Sequence, residues 1–252
     1  MSALLCKILA MLIMLVDHSG VALYRAGLIA RPLYRAMRII GRGAFPIFCF
    51  QIAIGAKYTK KKWFYFLRIV LLAFISELVF DLALFATWRD PTHQNVFFTL
   101  ALGLVCIYTL QWAYSLKNKL KIAGFAAFLC VTAAACFLAE RVLYTDYGWA
   151  GVIQIAVMGV IALPVEKAPY FRERGFSERF LRIVICAAAI AVCAAICTGS
   201  EWAALYALVP IGLYNGKKGY SSRILQYSLY FFYPLHLLIL GLLFVLPRMN
   251  GM

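Results

Sequence analysis

The stretch MLIMLVDHSGVAL, residues 11–23, decides the fold. Apart from Asp17 and His18 it suits lipid, and with the residues before it makes a span over 4–24, long enough to cross a hydrocarbon core of about 30 Å. An ionisable group at that depth costs roughly 2.5–3.5 kcal/mol even on the lenient insertion scale. Asp17 and His18 are therefore candidates for function, and the rest of the chain has to supply their partners.

The chain is apolar throughout. Of 252 residues, 65% are hydrophobic and 14% charged, with a mean hydropathy of +0.86; soluble domains run nearer half apolar and a quarter charged. The reading is an all-α polytopic membrane bundle of about nine spans (eight to ten), one domain over residues 1–252. Spans are expected at 4–24, 40–56, 63–87, 94–115, 122–140, 148–165, 180–198, 202–215 and 226–247, the second and eighth short for a full crossing. No internal repeat stands out. The first apolar run is followed by an Arg-rich stretch without an A-x-A-like site, so it is expected to stay as a span.

The net charge of +15 does not point to nucleic acid, because the Lys and Arg residues cluster between apolar runs, as cytoplasmic loops do. Eight cysteines (6, 49, 106, 130, 136, 186, 193 and 197) lie within apolar runs and none sits with a His at metal-ligand spacing. They read as small packing residues, with neither disulfides nor a metal site expected.

Connections 57–62, 117–121, 167–179 and 217–223 are basic, whereas those around 88–93, 141–147 and 199–201 carry at most one Arg each. The positive-inside rule puts the first set and the N-terminus in the cytoplasm and the C-terminus outside. Arg25, Arg31, Arg35, Arg38 and Arg42 break the rule on the outer side, unless partners within the protein hold them. In this frame Asp17, His18, Glu77, Asp81, Asn95, Thr99 and Asp146 lie towards the outer half and His236 near mid-span. Lipid expels such groups, so they should converge on an interior cavity.

Each motif has a chemical and a plainer reading. In DHSG (17–20) His18 can take a proton and a carboxylate can support it. Adjacent helical residues point about 100° apart, so Asp17 can pair instead with an Arg of the next span. In RIIGRGAFPIFCFQIAIG (38–55), Arg38 and Arg42 share a face and can fork onto carboxylates or phosphates, or snorkel to head groups. In ISELVFDLAL (75–84), Glu77 and Asp81 repeat the i, i+4 spacing, and the two arginines are the expected counter-charges. Asn95 either caps its helix or donates to an oxyanion. Asp146 caps or joins the polar network. In YNGKKG, Lys217 and Lys218 bind phosphates or simply obey the topology. His236, after Pro234, is either structural or part of the site.

Taken in order, LLCKILAMLIMLVDHSG, RIIGRGAFPIFCF, RIVLLAFISELVFDLAL, QNVFFTLALG, DYGWAGV, YNGKKG and FYPLHLLIL resemble the TraX family of inner-membrane proteins over essentially the whole chain. That family is similar to a wider superfamily of transmembrane acyltransferases, including heparan-alpha-glucosaminide N-acetyltransferase. Those take acetyl from cytosolic acetyl-CoA and pass it to an acceptor across the membrane, using a His on an early span.

The resemblance implies a multi-pass protein of the bacterial inner membrane with acetyl-CoA as donor substrate and no metal. It implies His18 as base and Asp17 as its electrostatic support. On the reading of the residues, Asn95 or Arg42 would meet the oxyanion, Arg38, Arg42, Lys217 and Lys218 would bind the donor, and Glu77, Asp81, Asp146 and His236 would form the surrounding network. The implied acceptor is an exported pilin-like N-terminus, or else a glycan. Ser19 departs from the bulky apolar residue expected there. Two other classes compete: a proton-coupled carrier, which buried Asp, Glu and His also suit, and a non-catalytic assembly factor.

Overall fold

The computed structural model describes residues 1–165, 173, 175–197 and 199–249, and its architecture is an all-α bundle. In lipid every backbone N–H and C=O needs an internal partner, which a helix supplies from its own segment. The apolar runs accordingly become α1 (Ala3–Arg25), α2 (Arg31–Gly41), α3 (Ala44–Tyr58), α4 (Lys62–Phe85), α5 (Val96–Ser115), α6 (Asn118–Phe137), α7 (Gly148–Met158), α8 (Glu178–Cys197) and α9 (Arg223–Leu240). Among the described residues, six helical stretches are long and apolar enough to cross a membrane. α4 has the length as well, at 24 residues, but carries Arg68, Glu77 and Asp81. The basic connection expected at 167–179 lies in large part outside the described residues.

The two short spans are built differently. α2 and α3 are separated by a turn at Arg42–Gly43, so the arginine-rich α2 is a separate helix beside the C-terminal part of α1. The span expected at 202–215 is a 3₁₀ helix, Gly199–Ala207, running into a helical turn at Leu208–Gly212, and it is not among the six stretches long and apolar enough to cross. A 3₁₀ helix rises about 2 Å per residue against 1.5 Å, so few residues reach further.

Close helix contact depends on small residues, as usual where lipid offers no hydrophobic drive between helices. A Cβ at Gly103 would lie 2.5 Å from Ile155, and one at Gly159 would lie 2.8 Å from Ile107. Both partners advance together, so α5 and α7 run parallel, as passes separated by one crossing should. The main core gathers Ile47, Phe50, Leu104, Ile155, Ile190 and Leu237. Leu12, Trp63, Phe74, Leu129 and Ile224 are exposed, the surface that lipid covers.

The N-terminus is tied to the turn before α9. Ala3 N–H donates to Lys217 O (2.9 Å), Leu4 N–H to Lys218 O (3.1 Å), and Asn215 N–H to Met1 O (2.9 Å). Both termini of this stitch are at the basic side of the bundle, so α1 and α9 run side by side from there.

Candidate functional site

Two parallel helices bring together residues 218 apart in sequence. His18 Nδ1 and His236 Nε2 are 2.7 Å apart, and His236 Nδ1 is 2.8 Å from Phe232 O, one turn earlier in α9. The ring planes differ by 4° with centroids 5.0 Å apart, so the rings meet edge to edge in one plane. Tyr233 presents its ring edgewise to both imidazoles, at 5.9 and 5.5 Å. His18 is 9% exposed and His236 6%, and the second nitrogen of His18, Nε2, has no hydrogen bond among the described residues. The pairing of His18 is thus with a second imidazole rather than with its neighbour Asp17.

Asp17 points the other way. Arg38 on α2 donates to its Oδ2 at 2.6 Å, and the carboxylate lies so close to Gly41 that a Cβ there would sit 2.1 Å from Oδ1. Arg42 pairs with Glu201 at 2.9 Å, and its Nε donates to Ser200 Oγ at 3.3 Å. Gly43 N–H donates to the Tyr206 hydroxyl, which in turn donates to Ile40 O. The expected counter-charge arrangement is therefore corrected: α2 packs on α1 and the 199–207 segment, and its arginines meet Asp17 and Glu201 instead of Glu77 and Asp81. These two pairs give Arg38 and Arg42 the partners within the protein that their break with the positive-inside rule calls for. Arg25 lies over the Phe85 ring at 5.4 Å, while Arg31 and Arg35 are exposed.

Glu77 is held by Asn95. Both the backbone N–H (3.1 Å) and Nδ2 (2.5 Å) of Asn95 donate to Glu77 Oε2, Nδ2 also donates to Ala73 O (2.8 Å), and Oδ1 caps α5 at Phe97 N–H (3.0 Å). The amide is fully committed and fully buried, so the expected oxyanion role of Asn95 is corrected to that of a helix cap. Asp81 Oδ2 accepts from Asp90 N–H at 2.8 Å, closing the connection between α4 and α5. Asp146 N–H donates to Gln94 O at 2.8 Å, Gln94 N–H to Tyr144 O at 3.0 Å, and the Thr99 hydroxyl to Asp146 O. The QNVFFTL and DYG motifs are thus bonded to each other. Tyr147 follows in a left-handed conformation (φ 64°), and its ring stacks on Phe45 at 3.8 Å.

A cavity of about 490 Å³ runs beside the inner part of α1. Lys7 and Lys218 line it together with Thr59 and Tyr58, Met11, Ile52, Ile69 and Leu100, and Met14, Phe97 and Tyr233, whereas His18 itself is not on its lining. Met14 is one turn before His18 on the same face of α1, and Tyr233 touches both imidazoles. Eleven residues separate Lys7 from His18, roughly 16 Å of helix. Lys7 and Lys218 lie within electrostatic reach of each other, and neither has an ion pair among the described residues.

Of the residues expected to bind a donor, Lys218 lines this cavity; Lys217, Arg38 and Arg42 are not on its walls. Among the described residues, no group of three His, Cys, Asp or Glu side chains is placed to hold a metal ion. Sequence reasoning missed three residues. Glu201 is a lone carboxylate in a short outer connection and was findable as the counter-charge to a displaced arginine. Lys7, a lone cation inside a span, carried the same signal as Asp17. Tyr233 carried none, since an aromatic in an apolar helix looks like any other.

Residues 2–244 match the family model described as TraX protein. The probable fimbrial assembly protein FimC, serogroup H1, of Dichelobacter nodosus is 27% identical over 261 residues, which cover 95% of this chain and 94% of that one. No solved structure matches the chain.

Proposed function

Because this chain belongs to the TraX family, and is on that account a multi-pass bacterial membrane protein, we propose that it is an acetyltransferase. It takes acetyl from acetyl-CoA at the cytoplasmic face and passes it to an acceptor amine or hydroxyl on the outer side. The observation that carries this reading is the cavity joining two uncompensated lysines to the neighbourhood of a buried histidine. Two ammonium groups without a carboxylate suit a phosphate-bearing donor, and the roughly 16 Å of helix between Lys7 and His18 suits an extended arm ending in a thioester. Met14, one turn before His18 on α1, and Tyr233, whose ring packs edgewise on His18, both line the cavity, so the thioester reaches the imidazole past these two side chains.

The chemistry follows from His18. As the acceptor nitrogen or oxygen attacks the thioester carbonyl carbon, His18 takes its proton on Nε2, the nitrogen His236 leaves free. The C–S bond breaks, the thiolate departs, and it receives that proton from Nε2. The products are the acetylated acceptor and free thiol. Asp17, bound to Arg38, stabilises the helix seam next to the site and contributes field rather than contact. An exported pilin-like N-terminus is the favoured acceptor, supported by the fimbrial assembly role in the name of the relative.

The test uses purified protein in proteoliposomes, labelled acetyl-CoA on one side and a pilin-like peptide on the other. Transfer to the peptide is expected, with loss of at least about 10³-fold in His18→Ala. Equal transfer by wild type and His18→Ala, or saturable transport of a solute with no acetyl transfer, overturns the reading.

A further inference from the structure

We propose that His236 is a positioning residue: it holds His18 as the Nδ1–H tautomer and thereby keeps Nε2 as the lone pair facing the reaction. The carbonyl oxygen of Phe232 only accepts, and His236 Nδ1 is 2.8 Å from it, so Nδ1 of His236 carries a hydrogen. Among the described residues no carboxylate lies within hydrogen-bond reach of either ring, and an unpaired buried cation is costly. Both rings are therefore neutral at rest.

A neutral His236 with its hydrogen on Nδ1 has only a lone pair on Nε2. The 2.7 Å contact to His18 then requires His18 Nδ1 to donate. The coplanar, end-to-end rings put that hydrogen on the lone-pair axis, the geometry a linear N–H···N bond needs. His18 has one hydrogen to place, so its Nε2 is bare. When Nε2 takes a proton, the cation donates from Nδ1 to His236 through a charge-assisted bond. A carboxylate does this for the base of a hydrolytic triad; here a second imidazole, fixed by its own helix backbone, does it within the membrane.

The catalytic consequence rests on the acetyltransferase reading; the tautomer does not. The chain has three histidines, and His93 is exposed, so ¹⁵N-histidine spectra of the full chain in lipid resolve the buried pair. Wild type is expected to show Nδ1–H and bare Nε2 for both His18 and His236. His236→Gln, whose amide oxygen still accepts, keeps His18 as Nδ1–H. His236→Phe, which cannot accept, lets the Nε2–H form appear. In transfer assays the Phe variant should lose about 10²–10⁴-fold in kcat, the upper end being the known cost of a wrong tautomer in a triad, with donor KM unchanged and Gln restoring at least a tenth of the rate. His18 found as Nε2–H in wild type, which needs no variant to fold, overturns the proposal. So does a His236→Phe protein with the wild-type tautomer. Correct tautomers without any acetyl transfer would instead overturn the function and leave the positioning of His18 standing.

Discussion

Gly41→Ala tests the seam that separates Asp17 from His18. The added methyl would lie 2.1 Å from Asp17 Oδ1, 2.3 Å from Cγ and 2.5 Å from Cβ, where ordinary contact is about 3.5 Å. The carboxylate cannot swing away cheaply, since Arg38 holds Oδ2 at 2.6 Å, and Cβ is fixed by α1 itself. More than 1 Å has to come from parting α1 and α2. Overpacking of this kind costs typically 1–3 kcal/mol, and the held carboxylate puts this site at the upper end, about 3 kcal/mol. For a chain of this length that lowers the melting temperature by roughly 6–10 °C.

The assay is thermal unfolding of detergent-solubilised protein, followed by its monodisperse fraction. A double-mutant cycle isolates the contact: in an Asp17→Gly background all three crowding atoms are gone, and Gly41→Ala should cost under about 1 kcal/mol. A Gly41→Ala protein that melts within a degree of wild type refutes the argument. Equal losses in both backgrounds refute it too, because they would place the strain elsewhere.

Asn95→Leu removes the side-chain bond to Glu77 and the cap on Phe97 N–H; together these should destabilise by about 3 kcal/mol, read by the same unfolding assay. Gly103→Val presses on Ile155, already 2.5 Å from a Cβ at that site, and should cost about 1–3 kcal/mol, whereas valine at the lipid-exposed Ala126 position should change little. Lys7→Glu and Lys218→Glu reverse the charge on the cavity lining and should each raise the KM for acetyl-CoA about tenfold or more, with kcat within a few-fold; unchanged KM in both would detach the cavity from the donor. Arg42→Gln removes the direct ion pair of Glu201 and should lower the melting temperature, an effect that Glu201→Gln in the same protein partly reverses.

Much of this was legible in the residues alone. Composition and the spacing of apolar runs established a polytopic helical bundle, because lipid leaves the backbone no other solution. The alternation of basic loops set an expected orientation, with the basic face in the cytoplasm, and the cost of buried charge marked Asp17, His18, Glu77 and Asp81 as residues that need partners. Spacing along one helix says which side chains share a face. It says nothing about which face of another helix meets them. Arg38 and Arg42 matched Glu77 and Asp81 in number and spacing, yet the packing of α2 on α1 assigned them to Asp17 and Glu201. Asn95 looked able to serve chemistry until its amide was found spent on Ala73, Glu77 and Phe97. The pairing of His18 with His236 was decided only by tertiary structure, since α1 and α9, at opposite ends of the chain, run side by side and bring two imidazoles to 2.7 Å. Lipid dictated that the polar groups turn inward; the crossing of the helices chose which of them touch.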